Sequence, residues 1–79
     1  MNKTENVFRT QDLYLASFLM ARGLKLIKVE KAGLVATFIF ENKEQMDGLV
    51  TSFFNSNEMV NANRLICSLR DLKSLLHNL

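Results

Sequence analysis

The sequence predicts an α+β fold in which an antiparallel hairpin-based small sheet packs with three helices. Two runs rich in branched and aromatic residues, "LKLIKVE" and "LVATFIFE", are joined by a short connection with a glycine, which is typical of a β-hairpin. Three other stretches repeat apolar residues at helical spacing. The expected order is a short strand, a helix, two strands, a helix, a further short strand and a helix, arranged in layers.

The N-terminal part predicts an edge strand followed by a helix. We expect residues 1–6 to be frayed because they are polar and terminal, and "VFR" (Val7 to Arg9) to form the short strand. Thr10 suits the N-cap of the helix, with Asp12 in the first turn, where the helix dipole favours a negative charge. Gly23 fits the left-handed position that commonly ends a helix.

In the hairpin, we expect Leu24 to Glu30 to form one strand and Leu34 to Glu41 the other. Alternation along the second strand assigns four residues to the face that is the stronger core candidate: Leu34, Ala36, Phe38 and Phe40. The opposite face, with Val35, Thr37 and Ile39, is apolar enough to need partial cover.

The second predicted helix follows the hairpin. Asn42 and Gln45 resemble a capping box at its start. Its apolar positions have amphipathic spacing: Met46, Leu49, Val50 and Phe53. Gly48 within it costs about 1 kcal/mol relative to Ala, and we expect another backbone to approach closely there.

A short strand at "MV" (Met59 and Val60) and a third helix complete the expected order. Asn61 suits the N-cap of this helix. Its apolar stripe alternates steps of three and four: Ala62, Leu65, Leu69, Leu72, Leu76 and Leu79. This is heptad spacing, but it is too brief for a coiled coil.

The first helix, "TQDLYLASFLMARG", is apolar on nearly every side. Such a helix is normally buried on several sides, and one sheet covers only one of them. Two interpretations follow at even weight: a homo-oligomer, with a dimer favoured, or a monomer with this helix clamped between the sheet and the last helix. The predicted protein interface comprises Tyr14, Phe18, Met20, Phe54, Leu72, Leu76 and Leu79.

The stretch "FRTQDLYLASFLMARGLKLIKVE" resembles the opening of a family of small uncharacterised domains from bacteria and their phages. In that family a Thr-x-Asp-Leu-Tyr-Leu-Ala helix leads through Gly into a strand. "FIFEN" and "VNANRLICSLRDLKSLL" resemble the family's middle and end, so the likeness runs from about Phe8 to Leu76. The resemblance implies a bacterial or mobile-element origin, and it brings no activity, cofactor or catalytic residue to this chain.

Residues that could support catalysis or hold a metal are sparse. Cys67 and His77 are the only cysteine and histidine, and on one helix they lie about 15 Å apart by rise, too far for proton transfer. We expect Cys67 to be a partly buried packing residue, and Glu44 and Asp47 to be solvated charges near a helix start. The sequence therefore predicts no enzyme, no cofactor and no metal site.

Composition favours one soluble domain over residues 1–79. The apolar first helix, Phe54 and the leucine-lined last helix favour a small non-enzymatic binding or accessory protein whose preferred partner is another protein. We expect a cytoplasmic protein, because no apolar run approaches a membrane span, the stretch "MNKTENVFRT" lacks the apolar region of a signal peptide, and the lone thiol fits a reducing cytoplasm. The net charge of +2 is low for a strong nucleic-acid binder.

Nucleic-acid binding is the alternative, through basic residues on or near the hairpin: Arg9, Arg22, Lys25, Lys28 and Lys31. Lys25 and Lys28 would fall on opposite faces of a regular strand, which counts against one continuous patch. Phe38 and Phe40 could stack bases, but we weigh core packing at roughly four to one over stacking, because apolar strand faces normally pack.

Overall fold

The structure is a computed structural model that describes residues 6–55 and 60–79. Its elements are β1 (Val7–Thr10), α1 (Leu13–Ala21), β2 (Leu26–Ala32), β3 (Val35–Glu41), α2 (Met46–Phe54) and α3 (Ala62–His77). The strands form one antiparallel sheet in the order β1-β3-β2. The predicted α+β fold, a hairpin-based sheet with three helices, is confirmed for the described residues.

Two predictions, the frayed N-terminal segment and the short strand before the last helix, fall partly outside the described residues. Residues 1–5 of the segment expected to be frayed lie outside the described residues, but Asn6 is held in place because its carbonyl accepts the Asn42 N–H at 2.8 Å. Of the predicted short strand at Met59 and Val60, Met59 also lies outside the described residues. Val60 is described and has no strand conformation.

Helix α1 begins two residues later than the sequence predicted. Asp12, not Thr10, is the N-cap, and its carboxylate accepts the N–H groups of Tyr14 and Leu15 at 2.9 and 3.1 Å. The Thr10 hydroxyl instead accepts the Asp12 N–H at 3.1 Å, and Thr10 itself is the last residue of β1. A carboxylate at the cap also places a negative charge at the positive end of the helix dipole.

The hairpin turn lies one residue further along than expected. Ala32 pairs with Val35, so the connection is Gly33-Leu34, and Gly33 has φ +63°. A glycine at the first central position is the pattern of a type II′ turn, which suits the twist of a hairpin. Leu34 was expected on the core face, but it belongs to the turn and is fully exposed.

A β-bulge interrupts the pairing of β2 with β3. Leu26 lies opposite Phe40 and Lys28 lies opposite Ile39, so Ile27 is an extra residue on β2. Bulges of this kind bend the strand and shift the face on which each following side chain lies. No turn residue marks this position in the sequence.

The core lies on the face of the sheet that carries Phe38 and Phe40, both of which are almost completely buried. All three helices contribute to this cluster, α1 with Leu15 and Leu19, and α3 with Leu72. The contribution of α2 is Met46 and Leu49. The predicted assignment of Phe38 and Phe40 to the core rather than to a base-stacking surface is therefore confirmed.

The opposite face, which we call the outer face, carries Arg9, Lys28, Glu30, Thr37 and Ile39 by the pairing register. Ile39 is only 2% exposed although it is not part of the core cluster. Its strand neighbours are Arg9 on one side and Lys28 on the other, whose long stems can cover apolar surface while their charges stay in water. The outer face is thus covered at Ile39, whereas Val35 on the same face is about half exposed.

Helix α2 differs from its prediction at two positions. Its N-cap is Gln45, which makes no side-chain capping bond, so the expected capping box with Asn42 is not formed. Gly48 is exposed, and a Cβ added there would meet no atom within 4 Å. The close backbone approach expected at Gly48 is therefore wrong.

Helix α3 begins where predicted, but the two ends of its predicted stripe, Ala62 and Leu79, are exposed, and Leu79 lies beyond the helix. Asn61 is the N-cap, and its side chain accepts the Arg64 N–H at 3.1 Å. Leu72 is buried, with Leu65, Leu69 and Leu76 partly buried beside it. Within the described ranges, no helix is long and apolar enough to cross a membrane.

Candidate interaction surfaces

Helix α1 is covered almost entirely by its own chain. Its buried residues are Leu15, Ala16, Ser17, Phe18, Leu19 and Ala21. The hydroxyl of Ser17, the one polar residue among them, donates to the Leu13 carbonyl at 2.9 Å, so its burial leaves no donor unsatisfied. The sheet, α2 and α3 together supply this cover, as in the second of the two interpretations made from the sequence. The oligomeric state itself stays a prediction.

An aromatic surface lies where α1 meets α2. The Phe18 ring packs on Phe53 with centroids 5.3 Å apart, and Phe53 meets Phe54 edge to face at 5.2 Å. Phe54 is 64% exposed and Tyr14, one turn before Phe18 on α1, is 63% exposed. We call Tyr14, Phe53 and Phe54 the aromatic surface.

The other residues of the predicted interface are spread over the molecule. Phe18 and Leu72 are buried in the core, so neither offers surface to a partner. Met20 and Leu76 are partly buried, and Leu79 is exposed at the end of the chain described here. Among these predicted residues, Phe54 is exposed and contacts the half-buried Phe53, and Tyr14 is exposed one helical turn before the buried Phe18.

The bulge at Ile27 changes the prediction for the hairpin lysines. The Glu41 N–H donates to the Lys25 carbonyl at 3.0 Å, so Lys25 lies opposite Glu41. Because Lys28 lies opposite Ile39, both lysines fall on the outer face, where a regular strand would have separated them. Arg9 lies on the same face, on the far side of Ile39.

The remaining two basic candidates lie elsewhere. Lys31 pairs with Ala36, which places it on the face that carries the core phenylalanines. Arg22 is the C-cap of α1 and lines a surface cavity with Asn61 and Arg64 at the start of α3. The five residues therefore do not make one patch. Arg64 was interpreted from the sequence as part of a solvated face of the last helix, and its place beside Arg22 was not predicted, because nothing in the sequence indicates that these two helix ends meet.

Groups that could perform catalysis are exposed and separate. Cys67 and His77 are both exposed, so the expectation that Cys67 is partly buried is wrong. Glu44 and Asp47 are exposed, as expected for solvated charges near the start of α2. In the part of the chain that the structure describes, no three or more His, Cys, Asp or Glu side chains are grouped so as to hold a metal ion.

Comparison with known proteins identifies the family. A model of DUF5659, a domain of unknown function, matches residues 5–78. The chain belongs to the DUF5659 family. The resemblance to a family of uncharacterised domains is thereby confirmed, while a bacterial or phage origin stays a prediction. No curated protein and no solved structure matches the chain.

The DUF5659 description assigns no activity. In this DUF5659 chain, the features that bear on a role are the exposure, contacts and charge of the aromatic surface and of the outer face.

Proposed function

We propose that this chain is a small non-enzymatic binding or accessory protein that acts through protein contact at the aromatic surface. The observation that carries the proposal is the exposure of Phe54, whose ring packs edge to face on Phe53. Tyr14, one helical turn before Phe18 on α1, is exposed as well. Exposed large apolar groups that are adjacent to one another, and not merely scattered, mark interaction sites.

The packing beneath these side chains supports the same role. Phe53 contacts Phe18 below it and Phe54 beside it, so Phe54 rests on a ring that the core holds in place. An aromatic side chain whose position is already fixed loses little conformational entropy on binding. Tyrosine and other large aromatics also contribute a disproportionate share of binding energy in interfaces.

The test is affinity capture from a cell extract with three forms of the protein: wild type, Tyr14→Ser with Phe54→Ser, and Ile66→Ser. Ile66 is a matched control because it is an exposed apolar residue on α3, away from the α1–α2 aromatic pair. We expect a specific protein to be retained by wild type and by the control and to be lost from the double variant. Calorimetry with the purified partner then measures the loss in affinity.

Retention of the same proteins by all three forms would refute the role of the aromatic surface. Circular dichroism of the double variant provides the folding control. Because both replaced side chains are largely exposed, we expect its helical signal and its unfolding midpoint to stay close to those of wild type.

Nucleic-acid binding is the second candidate, and the bulge at Ile27 favours it. Arg9, Lys25 and Lys28 share the outer face, which gives that face a basic cluster that a regular strand would not have. Glu30 and Glu41 lie on the same face and dilute the charge: the Lys28 ammonium lies 3.2 Å from the Glu30 carboxylate. Protein contact therefore remains the first proposal.

Fluorescence anisotropy with single-stranded and double-stranded oligonucleotides tests this second candidate. If it is right, affinity falls steeply as salt is raised, because binding releases counterions from the phosphates. Lys25→Glu should weaken binding, whereas Lys31→Glu, on the other face, serves as the matched control. Binding that is equally sensitive to both variants would contradict a site on the outer face.

A further inference from the structure

The two edges of the sheet differ in length and in surroundings. β1 forms one edge with four residues and β2 forms the other with seven. Within the described residues, α1 approaches the backbone of β1, and no helix approaches the backbone of β2 to the same extent. Within the described residues, no strand pairs with the outward side of β2. An edge of this length presents N–H and C=O groups that another strand can pair with.

The hydrogen bonds around β3 show which residues of β2 present these groups. The Glu41 N–H donates to the Lys25 carbonyl, so Glu41 and every second residue before it, including Ile39, direct their backbone towards β2. Lys28 lies opposite Ile39 and therefore directs its backbone towards β3. Val29, the next residue, directs its N–H and C=O outward, to the free edge.

The side chains beside Val29 carry opposite charges on one face. Lys28 and Glu30 both lie on the outer face, and their charged atoms are 3.2 Å apart. Both side chains are more than half exposed. Any strand that pairs with this edge therefore meets a positive and a negative charge on either side of Val29.

We propose that two copies of the chain pair antiparallel through the β2 edge, about a two-fold axis at Val29, to form one continuous six-stranded sheet. In this register the outward backbone groups of Val29 bond those of its own copy. Lys28 then lies opposite Glu30 of the other copy, and Glu30 opposite Lys28 of the other copy. The four side chains make a cluster in which every neighbour has the opposite charge.

The register follows from both overlap and charge. Val29 is the central residue of Leu26–Ala32, so an axis there pairs the whole strand with its copy. An axis at Lys28 or at Glu30 shortens the overlap and places that residue directly opposite its own copy. Like charges directly opposite one another destabilise a strand pair.

The backbone hydrogen-bonding pattern of the paired β2 edges also favours an axis at Val29. Pairs whose backbone groups do not bond each other bring their side chains closest across a strand pair. With the axis at Val29, the Lys28–Glu30 pairs between the copies are of this kind, since the backbones of both residues already face β3. The bulge at Ile27 lies at the end of the strand and leaves Lys28 to Ala32 regularly paired.

Sedimentation velocity over a range of concentrations tests the proposal with charge variants. Wild type should dimerise, and Lys28→Glu and Glu30→Lys should each raise the dimer dissociation constant about tenfold or more, because both pairs between the copies become repulsive. A 1:1 mixture of these two variants should form a heterodimer, since every pair across the interface is then attractive. The double variant K28E/E30K should recover the wild-type dimer.

Two controls make the outcome decisive. Lys43→Glu removes a comparable ion pair with Glu41, 3.4 Å apart and away from the β2 edge, and should leave the dimer unchanged. Tyr14→Ser with Phe54→Ser should also leave it unchanged, because the dimer does not use the aromatic surface of the proposed function. Recovery of the dimer in the 1:1 mixture of Lys28→Glu and Glu30→Lys would show that both variants are folded, since misfolded chains could not restore the interface.

Three results would overturn the proposal. One is a wild-type protein that stays monomeric at millimolar concentration. Another is dimerisation of both single variants with wild-type affinity. The third is loss of the dimer in the aromatic double variant, which would place the contact between copies on the helices.

Discussion

Helices α1 and α3 pack against each other but are buried in different ways. α1 has nine residues, six of them buried, whereas α3 has sixteen residues and only Ser68 and Leu72 are buried. The short helix lies between the sheet and α3, while the long helix covers it from outside. Position in the layers, and not length, therefore decides how many sides of a helix must be apolar.

The contrast also explains the composition of the first helix. A helix that is apolar all round has no amphipathic pattern of its own, and it depends on the surrounding layers to exclude water. In this chain the cover comes from the sheet, from Phe53 on α2 and from the leucine stripe of α3. α1 is thus the centre of the fold, although it is the second element in the sequence.

Replacing a buried residue of α1 should have the largest effect on stability. Leu19 has no exposed surface, so Leu19→Ala should lower the free energy of unfolding by about 2–5 kcal/mol. Ile66→Ala, on the exposed side of α3, should change it by less than about 0.5 kcal/mol. Urea unfolding followed by circular dichroism measures both changes. Equal losses in the free energy of unfolding would contradict the difference in burial between α1 and α3.

Loss of the N-caps should give an intermediate effect. Asp12 accepts two N–H groups at the start of α1, and Asp12→Ala should cost about 1 kcal/mol. Asn61 accepts only the Arg64 N–H, so Asn61→Ala should cost less. The same unfolding assay compares them, and a larger loss for Asn61→Ala would contradict the central place given to α1.

Replacing Gly48 or Gly33, two of the three glycines, should change the stability least, and the two changes should have opposite signs. Gly48 lies in α2 with open space around it, so Gly48→Ala should stabilise the fold by about 0.5–1 kcal/mol. Gly33 has φ +63°, so Gly33→Ala should destabilise it instead. Thermal melts measure both shifts, and destabilisation by Gly48→Ala would mean that a neighbouring element approaches α2 there.

The sequence predicted the elements better than it predicted their junctions. Periodicity was sufficient for the middle of α3, because its stripe is covered from Leu65 to Leu76 and Asn61 caps the helix as expected. The cap of α1 was misassigned since both Thr10 and Asp12 suit the role chemically, and the extent of β1 decides between them. Leu34 was misplaced because Gly33 begins the turn, which extends β2 by two residues beyond Glu30.

The candidate surfaces were less accessible to sequence reasoning. Phe54 was predicted to reach an interface, since Phe53 continues the apolar stripe of α2 and the two side chains cannot both face the core, and Phe54 is exposed in the structure. The shared face of Lys25 and Lys28 depends on the extra residue at Ile27, which no local signal indicates. Burial of Phe18 and Leu72 depends on which layers meet, and that is a property of the tertiary fold.

Hydrogen exchange of α1 in dilute Glu30→Lys protein is the most direct test that one chain completes this fold. That variant is designed to disfavour contact between copies, so any protection of α1 must come from its own sheet and helices. We predict that the amides of Leu15 to Ala21 stay protected and exchange at a rate independent of dilution. Rapid exchange of α1 that slows as concentration rises would show that a second chain is needed to cover it.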